Sequence, residues 1–354
     1  MRFAALSLLL AACAVNPGAG DDTQPEDDAG DQDASSTDDV TQPQSDGGTT
    51  QTDSGTTTQQ STNVTIIVEP NGKGGSEVVS AITAAKTSVH MTMYMLSNTD
   101  VINALIARHK AGVDVKVLLD SSTTTANGSV YNQLRSAGVG VAWSSSQFNF
   151  THEKCVIIDG KTAWIMTMNL TLSSPTSNRE YLAIDTTPGD ITEAEAIFEG
   201  DFGGKPPASV TGPLVVAPIN AVASIVSLIG SAKKTIDLEG EELSDYHTAD
   251  ALKGALGRGV KVRVVLSDAT QTSSGQAAVA EVKGAGGSLV TVSTPYIHAK
   301  TLVVDGTTAY VGSENFSTGS LQYNRELGVI FSIASEVQKI SSTISSDFSK
   351  GTAL

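Results

Sequence analysis

Cysteine is nearly missing from this chain: only Cys13 and Cys155 occur in 354 residues, which excludes a disulfide framework. Basic charge is scarce too, with 22 Lys and Arg against 38 Asp and Glu, and there is no polybasic arm of the kind that tracks nucleic acid. The deficit is uneven. Residues 1–62 hold 11 acidic side chains and Arg2 as their one base, so the remainder carries 21 basic and 27 acidic groups, a balance of −6. Such a body suits a polyanion poorly, because affinity for nucleic acid rests largely on phosphate neutralisation. Apolar runs long enough to span a bilayer are also lacking. The stretch from Val210 to Gly230 comes nearest, but Pro213, Pro218 and Asn220 break it into a strand and a core helix. With 40% hydrophobic residues, the chain still has material for two domain-sized cores.

What is present begins with an export signal. Met1-Arg2 supplies a positive start, Phe3 to Ala12 a short apolar run, and Leu10-Ala11-Ala12-Cys13 resembles a bacterial lipobox, whose cysteine becomes the lipidated first residue of the mature protein. The expectation is a signal peptide over residues 1–12 and an envelope protein anchored to its membrane through Cys13. An ordinary secretory signal that contains a cysteine is the alternative, and either one exports the protein. Residues 13–62, rich in Asp, Thr, Gln, Ser and Gly, bury too little to offset their ordering entropy and read as a tether. A flexible segment of about 45 residues has an r.m.s. reach of about 35–40 Å.

The body contains an internal repeat. Gly112 to Asp120 (GVDVKVLLD) recurs as Gly259 to Asp268 (GVKVRVVLSD), and His152 to Asp159 (HEKCVIID) as His298 to Asp305 (HAKTLVVD), at offsets of 147 and 146. Asn169 and Asn315 share the offset of 146, as do Asn178-Arg179-Glu180 and Asn324-Arg325-Glu326. A duplicated unit of domain size explains this, one copy over residues 63–207 and one over 208–354. In each copy amphipathic helices alternate with Val-rich strands. The pattern predicts an α/β fold of two homologous lobes, each a mixed β-sheet flanked by helices.

In the strand from Thr151 to Ile158, His152 and Lys154 share one face, while Glu153 and Cys155 share the other. Cys155 is therefore expected as a buried apolar filler. Asp159-Gly160 and Asp305-Gly306 are two-residue hairpin signals. A tight turn pairs Ile158 with Lys161 and sets Thr167 opposite His152, with Asn169 diagonal to it. The same count sets Ser313 opposite His298, beside Asn315. Asp159 and Asp305 fall in the turns and read as structural. Each copy thus gathers an imidazole, an ammonium, a hydroxyl and a carboxamide on one sheet face. Such a cluster suits a phosphodiester, since lysine and asparagine can hold non-bridging oxygens while histidine attacks phosphorus or protonates the leaving oxygen. A covalent displacement needs a nucleophile and an acid on opposite sides of phosphorus, which two copies about a pseudo-twofold axis provide. Glu180 and Glu326, each 28 residues after the histidine of its own copy, are candidates to accept the other ring proton.

The paired His-x-Lys-x4-Asp segments, each followed by Asn at +17 and Asn-Arg-Glu at +26 to +28, resemble the phospholipase D superfamily over about residues 64–334. The resemblance implies a two-lobed α/β sandwich with the active site at the pseudo-twofold interface. It also implies cofactor-free, metal-independent chemistry at phosphodiesters through a phosphohistidine. Carried over by position, it makes His152 the nucleophile and His298 the general acid/base, with Lys154, Lys300, Asn169 and Asn315 on the phosphate. Thr167 and Ser313 stand in the family's Gly-Ser-x-Asn position, intact as Gly312-Ser313-Glu314-Asn315 but altered to Met166-Thr167-Met168-Asn169 in the first copy.

Zinc is excluded as a reading of the paired histidines, because a charged lysine is a poor ligand and no further His or Cys stands at metal spacing. Aligning the early strands at an offset of 147 matches Tyr94 with Glu241 and Thr92 with Glu239, so that Glu239 and Glu241 share one strand face, with Tyr94 as the first copy's counterpart. If that face lines the cleft, the carboxylates would attract a cationic headgroup; they could equally be solvated or bound to Lys154 and Lys300. The leading expectation is a monomeric phospholipase D that hydrolyses a phospholipid such as phosphatidylcholine. The alternatives are a nuclease of the same superfamily, a phosphatidyl transferase of cardiolipin synthase type, and a non-catalytic binding module.

Overall fold

The computed structural model describes residues 60–70, 72–73, 75–267 and 273–354. The signal peptide, Cys13, the tether as far as residue 59, and Asp268 lie outside the described residues. In chain order the first lobe comprises β1 (Val64–Glu69), α1 (Ser76–Ala84), β2 (Ser88–Met93), α2 (Thr99–Lys110), β3 (Asp114–Leu119), α3 (Thr124–Ser136), β4 (Gly140–Trp143), β5 (Lys154–Ile158), β6 (Thr162–Met166), α4 (Ser174–Ser177), β7 (Asn178–Asp185) and α5 (Pro188–Phe202). The second comprises β8 (Val215–Ala217), α6 (Ala221–Ser231), β9 (Thr235–Gly240), α7 (Tyr246–Gly257), β10 (Lys261–Ser267), α8 (Ser273–Gly284), β11 (Ser288–Val292), β12 (Tyr296–Ile297), β13 (Lys300–Val304), β14 (Thr308–Gly312), α9 (Thr318–Gln322), β15 (Glu326–Phe331), α10 (Ala334–Lys350) and β16 (Thr352–Ala353). Local chemistry starts and stops these elements. The Asn98 side chain accepts from Asp100 and Val101 N–H at the head of α2, whose last turn carries Arg108, His109 and Lys110.

The first sheet runs β1-β7-β6-β5-β2-β3-β4 and the second β16-β11-β10-β9-β13-β14-β15-β8. In the first, β2, β3 and β4 are parallel and β5 returns antiparallel beside β2; in the second, β9, β10 and β11 are parallel with β13 antiparallel. The carboxyl ends of the parallel strands therefore meet the amino ends of β5 and β13 at one edge of each sheet. Ligands of α/β sheets bind at that kind of edge. One apolar core joins the inner faces of both sheets to α5 and α10, through residues such as Ile157, Ile165, Phe198, Val303, Val329 and Ile344. Two outer cores lie under the remaining helices, one per lobe. No helix among the described residues is long and apolar enough to cross a membrane.

Two expectations need correction. Ile158 pairs with Thr162 rather than Lys161, and Val304 with Thr308. Asp159 and Gly160 do form the tight turn, with φ of 55° and 58°, and Lys161 N–H donates to Ile158 O at 3.0 Å, but Lys161 is left as an extra, bulged residue. The Asp159 carboxylate explains the bulge: it accepts from the backbone N–H groups of Lys86, Thr87 and Ser88, tying the turn to the α1–β2 connection. Asp305 does the same for Lys233, Lys234 and Thr235. Second, residues 60–62 do not belong to a tether. Ser61 bridges to Phe331, its N–H donates to Ile330 O at 2.9 Å, and Thr62 N–H donates to Thr187 Oγ1 at 3.1 Å.

Candidate active site

His152 and Lys154 stand at the head of β5, and His298 and Lys300 at the head of β13. Backbone crosses between the lobes at this level: Thr151 bridges to Arg325, and Ile297 of β12 pairs with Arg179 of β7. These reciprocal links bring each histidine to the other lobe's glutamate. His152 Nδ1 lies 2.9 Å and 3.0 Å from the Glu326 carboxylate oxygens, and His298 Nδ1 lies 2.7 Å from Glu180 Oε1. Both candidate carboxylates are therefore on the imidazoles, each serving the histidine of the other copy: the dyads are exchanged. Spacing cannot distinguish exchanged from own-copy pairing, since both copies offer the same donor and acceptor. A carboxylate that accepts a hydrogen bond from Nδ1–H fixes the tautomer whose Nε2 carries the lone pair that attacks or accepts a proton. Burial works to raise the Glu326 carboxyl, but the charge and hydrogen bond of His152, with the charge of Lys154, overcome it and hold the group below the usual carboxylate range.

The Asn-Arg-Glu triplets build this exchange. Asn178 Nδ2 donates to Glu180 at 3.3 Å and Asn324 Nδ2 to Glu326 at 3.4 Å. Arg179 grips Asp347 of α10, with Nε donating at 2.6 Å, while Arg325 grips Asp201 of α5, with Nη2 donating at 3.0 Å. Both aspartates are buried. Sequence reasoning passed over Asp201 and Asp347, although they share the same offset of 146 as the motif residues. That shared offset was the signal available.

The hydroxyls expected on phosphate are turned elsewhere, because the register slip sets Met168 and Glu314, not Thr167 and Ser313, across from the histidines. Thr167 Oγ1 donates to Glu180 and accepts from Tyr181 N–H. Ser313 Oγ accepts from Leu327 N–H at 3.1 Å and hydrogen-bonds Glu326. Each hydroxyl orients a dyad carboxylate. Lys154 Nζ donates to His152 O at 2.8 Å and lies 4.9 Å over the Tyr94 ring; Lys300 Nζ donates to His298 O at 2.9 Å and to Glu241 Oε2 at 3.0 Å. Asn169 and Asn315, both buried, lie on the loops after β6 and β14. Gly312 serves packing rather than access to substrate. A Cβ there would stand 2.3 Å from both Tyr310 Oη and Glu314 Oε2, the buried pair that the first lobe replaces with Trp164 and Met168.

The headgroup triad divides. Glu239 is buried and accepts from Tyr181 Oη at 2.6 Å, so it lies in the protein interior and not on the cleft; burial, with the nearby Asp347 charge, pushes its carboxyl up to about 8. Glu241 is in the site, 3.6 Å from His298 Nε2 and bonded by Tyr296 Oη at 2.7 Å. Tyr94, its counterpart, sets its ring edge-on to His152 at 4.6 Å. Cys155 is buried in the inner core. Away from the site, His90, Glu195 and Glu199 bring possible cation ligands within 4.8 Å of one another. The Lys116 ammonium already sits in that cluster, 2.6 Å from Glu199, and the group is read as an ion-pair network.

Seen whole, the centre offers two oriented imidazoles, two ammonium groups and two carboxamides, a set suited to displacement at phosphorus. The family model described as cardiolipin synthase, PLD-like domain, matches the chain twice, over residues 78–202 and 225–349. A mitochondrial cardiolipin hydrolase of Danio rerio is 32% identical over 135 residues, 38% of this chain and 60% of that protein. Cardiolipin synthase 1 of Bacillus cereus is 23% identical over 333 residues, 79% of this chain and 65% of that protein. The chain therefore spans less than two thirds of the length of these curated relatives. Among solved structures, the phosphatidylserine synthase of Haemophilus influenzae is similar in fold, with a TM-score of 0.61 at 12% identity, covering 83% of this chain and 89% of that one.

Proposed function

The chain belongs to the phospholipase D superfamily, and from that membership we propose that it is a phosphatidyl transferase of cardiolipin synthase type, working through a phosphohistidine. The observation that carries the chemistry is the pair of exchanged dyads, His152 with Glu326 and His298 with Glu180. His152 Nε2 attacks the phosphorus of phosphatidylglycerol. The bond to the headgroup oxygen breaks, and His298 delivers a proton to the departing glycerol. His298 then takes the proton from a hydroxyl of a second phosphatidylglycerol, whose oxygen attacks phosphorus and releases His152. Lys154, Lys300, Asn169 and Asn315 hold the non-bridging oxygens as charge shifts. Hydrolysis of phosphatidylcholine, the leading expectation from the sequence, gives way because relatives named for cardiolipin favour the transferase alternative. Hydrolysis remains the second reading, favoured by the match to a cardiolipin hydrolase; water would then replace the acceptor alcohol.

The test is the full chain with phosphatidylglycerol vesicles and excess chelator, following cardiolipin, free glycerol and phosphatidate against His152→Ala. Cardiolipin and glycerol in equal amounts, lost in the variant, support transfer. Phosphatidate without cardiolipin supports hydrolysis. Neither product, from phosphatidylglycerol or from cardiolipin vesicles, would refute the lipid reading.

A further inference from the structure

The loops that carry the site also form its rim, because the sheet topology brings the segments after β2, β3, β4 and β6 to one edge, and those after β9, β11 and β14 to the matching edge. Two properties of this rim stand together. The first concerns charge. Among the described residues of these loops no Asp, Glu, Lys or Arg is exposed, and their acidic side chains Asp120, Glu153, Glu241, Glu242, Asp245 and Glu314 are all buried. On a body with a balance of −6, the polar residues that the described parts of these loops expose are Ser, Thr, Asn and Gln, and the exposed charges beside them are Lys73 after β1 and Asp100 in the first turn of α2.

The second property is apolar exposure. Among the described residues the large hydrophobic side chains left exposed are Leu172 at 64%, Tyr246 at 61% and Tyr323 at 54%. All three stand at this edge. Leu172 follows Asn169 on the loop after β6, Tyr246 follows Glu241 at the start of α7, and Tyr323 O accepts from Asn149 N–H at 3.0 Å, just ahead of His152. Leucine and tyrosine partition into the boundary between headgroups and acyl chains, tyrosine keeping its hydroxyl in the wet layer. Loops whose described residues expose no carboxylate also lessen repulsion by anionic lipid, which the rest of this acidic body would suffer.

We propose that Leu172, Tyr246 and Tyr323 seat the mouth of the site on a phospholipid bilayer, so that a lipid phosphodiester enters from the membrane plane rather than from solution. The proposal rests on the lipid reading of the site, and it is distinct from any anchor at Cys13. A polynucleotide partner fits less well, because the described residues of these loops offer no exposed cation to a phosphate backbone and Lys73 beside them is a single charge.

The experiment uses the full chain with Cys13→Ser, so that no acyl group contributes, and vesicles of phosphatidylcholine with phosphatidylglycerol. Replacing Leu172, Tyr246 and Tyr323 together by serine should lower the vesicle-bound fraction at least about tenfold, with turnover of soluble bis(p-nitrophenyl) phosphate unchanged. Separately, Leu172→Trp should shift the emission of the introduced indole to the blue when vesicles are added. Equal binding by the triple variant, unshifted emission from the Leu172→Trp variant, or loss of single-stranded DNA binding in place of vesicle binding would overturn the proposal. A parent protein inactive on both lipid and soluble diester would sink the catalytic reading, while vesicle partition and indole emission would still decide the rim.

Discussion

Each imidazole of the candidate site is oriented by a carboxylate from the opposite lobe, so a single glutamate controls a histidine 174 or 118 residues away in sequence. Glu326→Gln should leave the fold intact yet lower turnover by about 10²- to 10⁴-fold, because an amide no longer fixes the imidazole tautomer or stabilises its charge. The downfield Nδ1 proton of His152 should vanish from the NMR spectrum while that of His298 persists, and Glu180→Gln should give the reverse. Pairing within each copy would invert that pattern. A second consequence concerns pH. Burial pushes the carboxyls of Glu153, Glu239 and Glu314 up to about 8, against an ordinary 4.5 for glutamate. Between those values the folded protein holds protons that the unfolded chain has released, so their stabilising contribution is complete below 4.5 and is lost as pH rises through about 8. Melting temperatures followed from about pH 5 to 9 should fall with this slope. Glu239→Gln should flatten it, with the largest gain over the parent near the alkaline end of that range.

Among the elements, the β5–β6 and β13–β14 hairpins set the candidate site, because each begins beside a motif histidine and ends near the motif asparagine, the residues proposed for attack and phosphate binding. Asp159 anchors the first hairpin by accepting from three backbone amides. Asp159→Ala leaves those amides to water and should cost about 1–2 kcal/mol by urea denaturation, whereas Asp159→Asn, which keeps one acceptor oxygen, should cost less. The strands and turns here were legible from Val-rich alternation and the Asp-Gly pairs. The bulge at Lys161 was not, because the force that shifts the register comes from Asp159 reaching the α1–β2 connection, a tertiary bond that no local pattern records. The same limit hid the exchange of Glu180 and Glu326. Motif spacing places each residue on its strand, but only the docked lobes decide which copy it serves.

For the whole molecule, duplication makes the site and the core one object. The inner core draws on both sheets, and the Arg179–Asp347 and Arg325–Asp201 pairs cross the same boundary buried. Neither lobe alone keeps a carboxylate on its histidine. Removing one partner of such a pair strands a buried charge, at about 3–5 kcal/mol, so Arg325→Met should destabilise strongly and Arg325→Met with Asp201→Leu should recover most of the loss. The connection between the lobes, by contrast, begins on the surface, and only its far end packs Val210 and Leu214 against the inner core. Residues 203–214 link α5 to β8 with no strand or helix of their own, and Gly204 and Lys205 are exposed there. A chain produced as two pieces, divided between Lys205 and Pro206, should therefore assemble when co-expressed, elute as a single 1:1 species and regain activity. Each piece made alone should be inactive and prone to aggregate through its bared inner face. Activity in an isolated piece would mean that the dyads can form within one lobe, contrary to the geometry, and failure of the co-expressed pieces to assemble would mean that the interface depends on the covalent link.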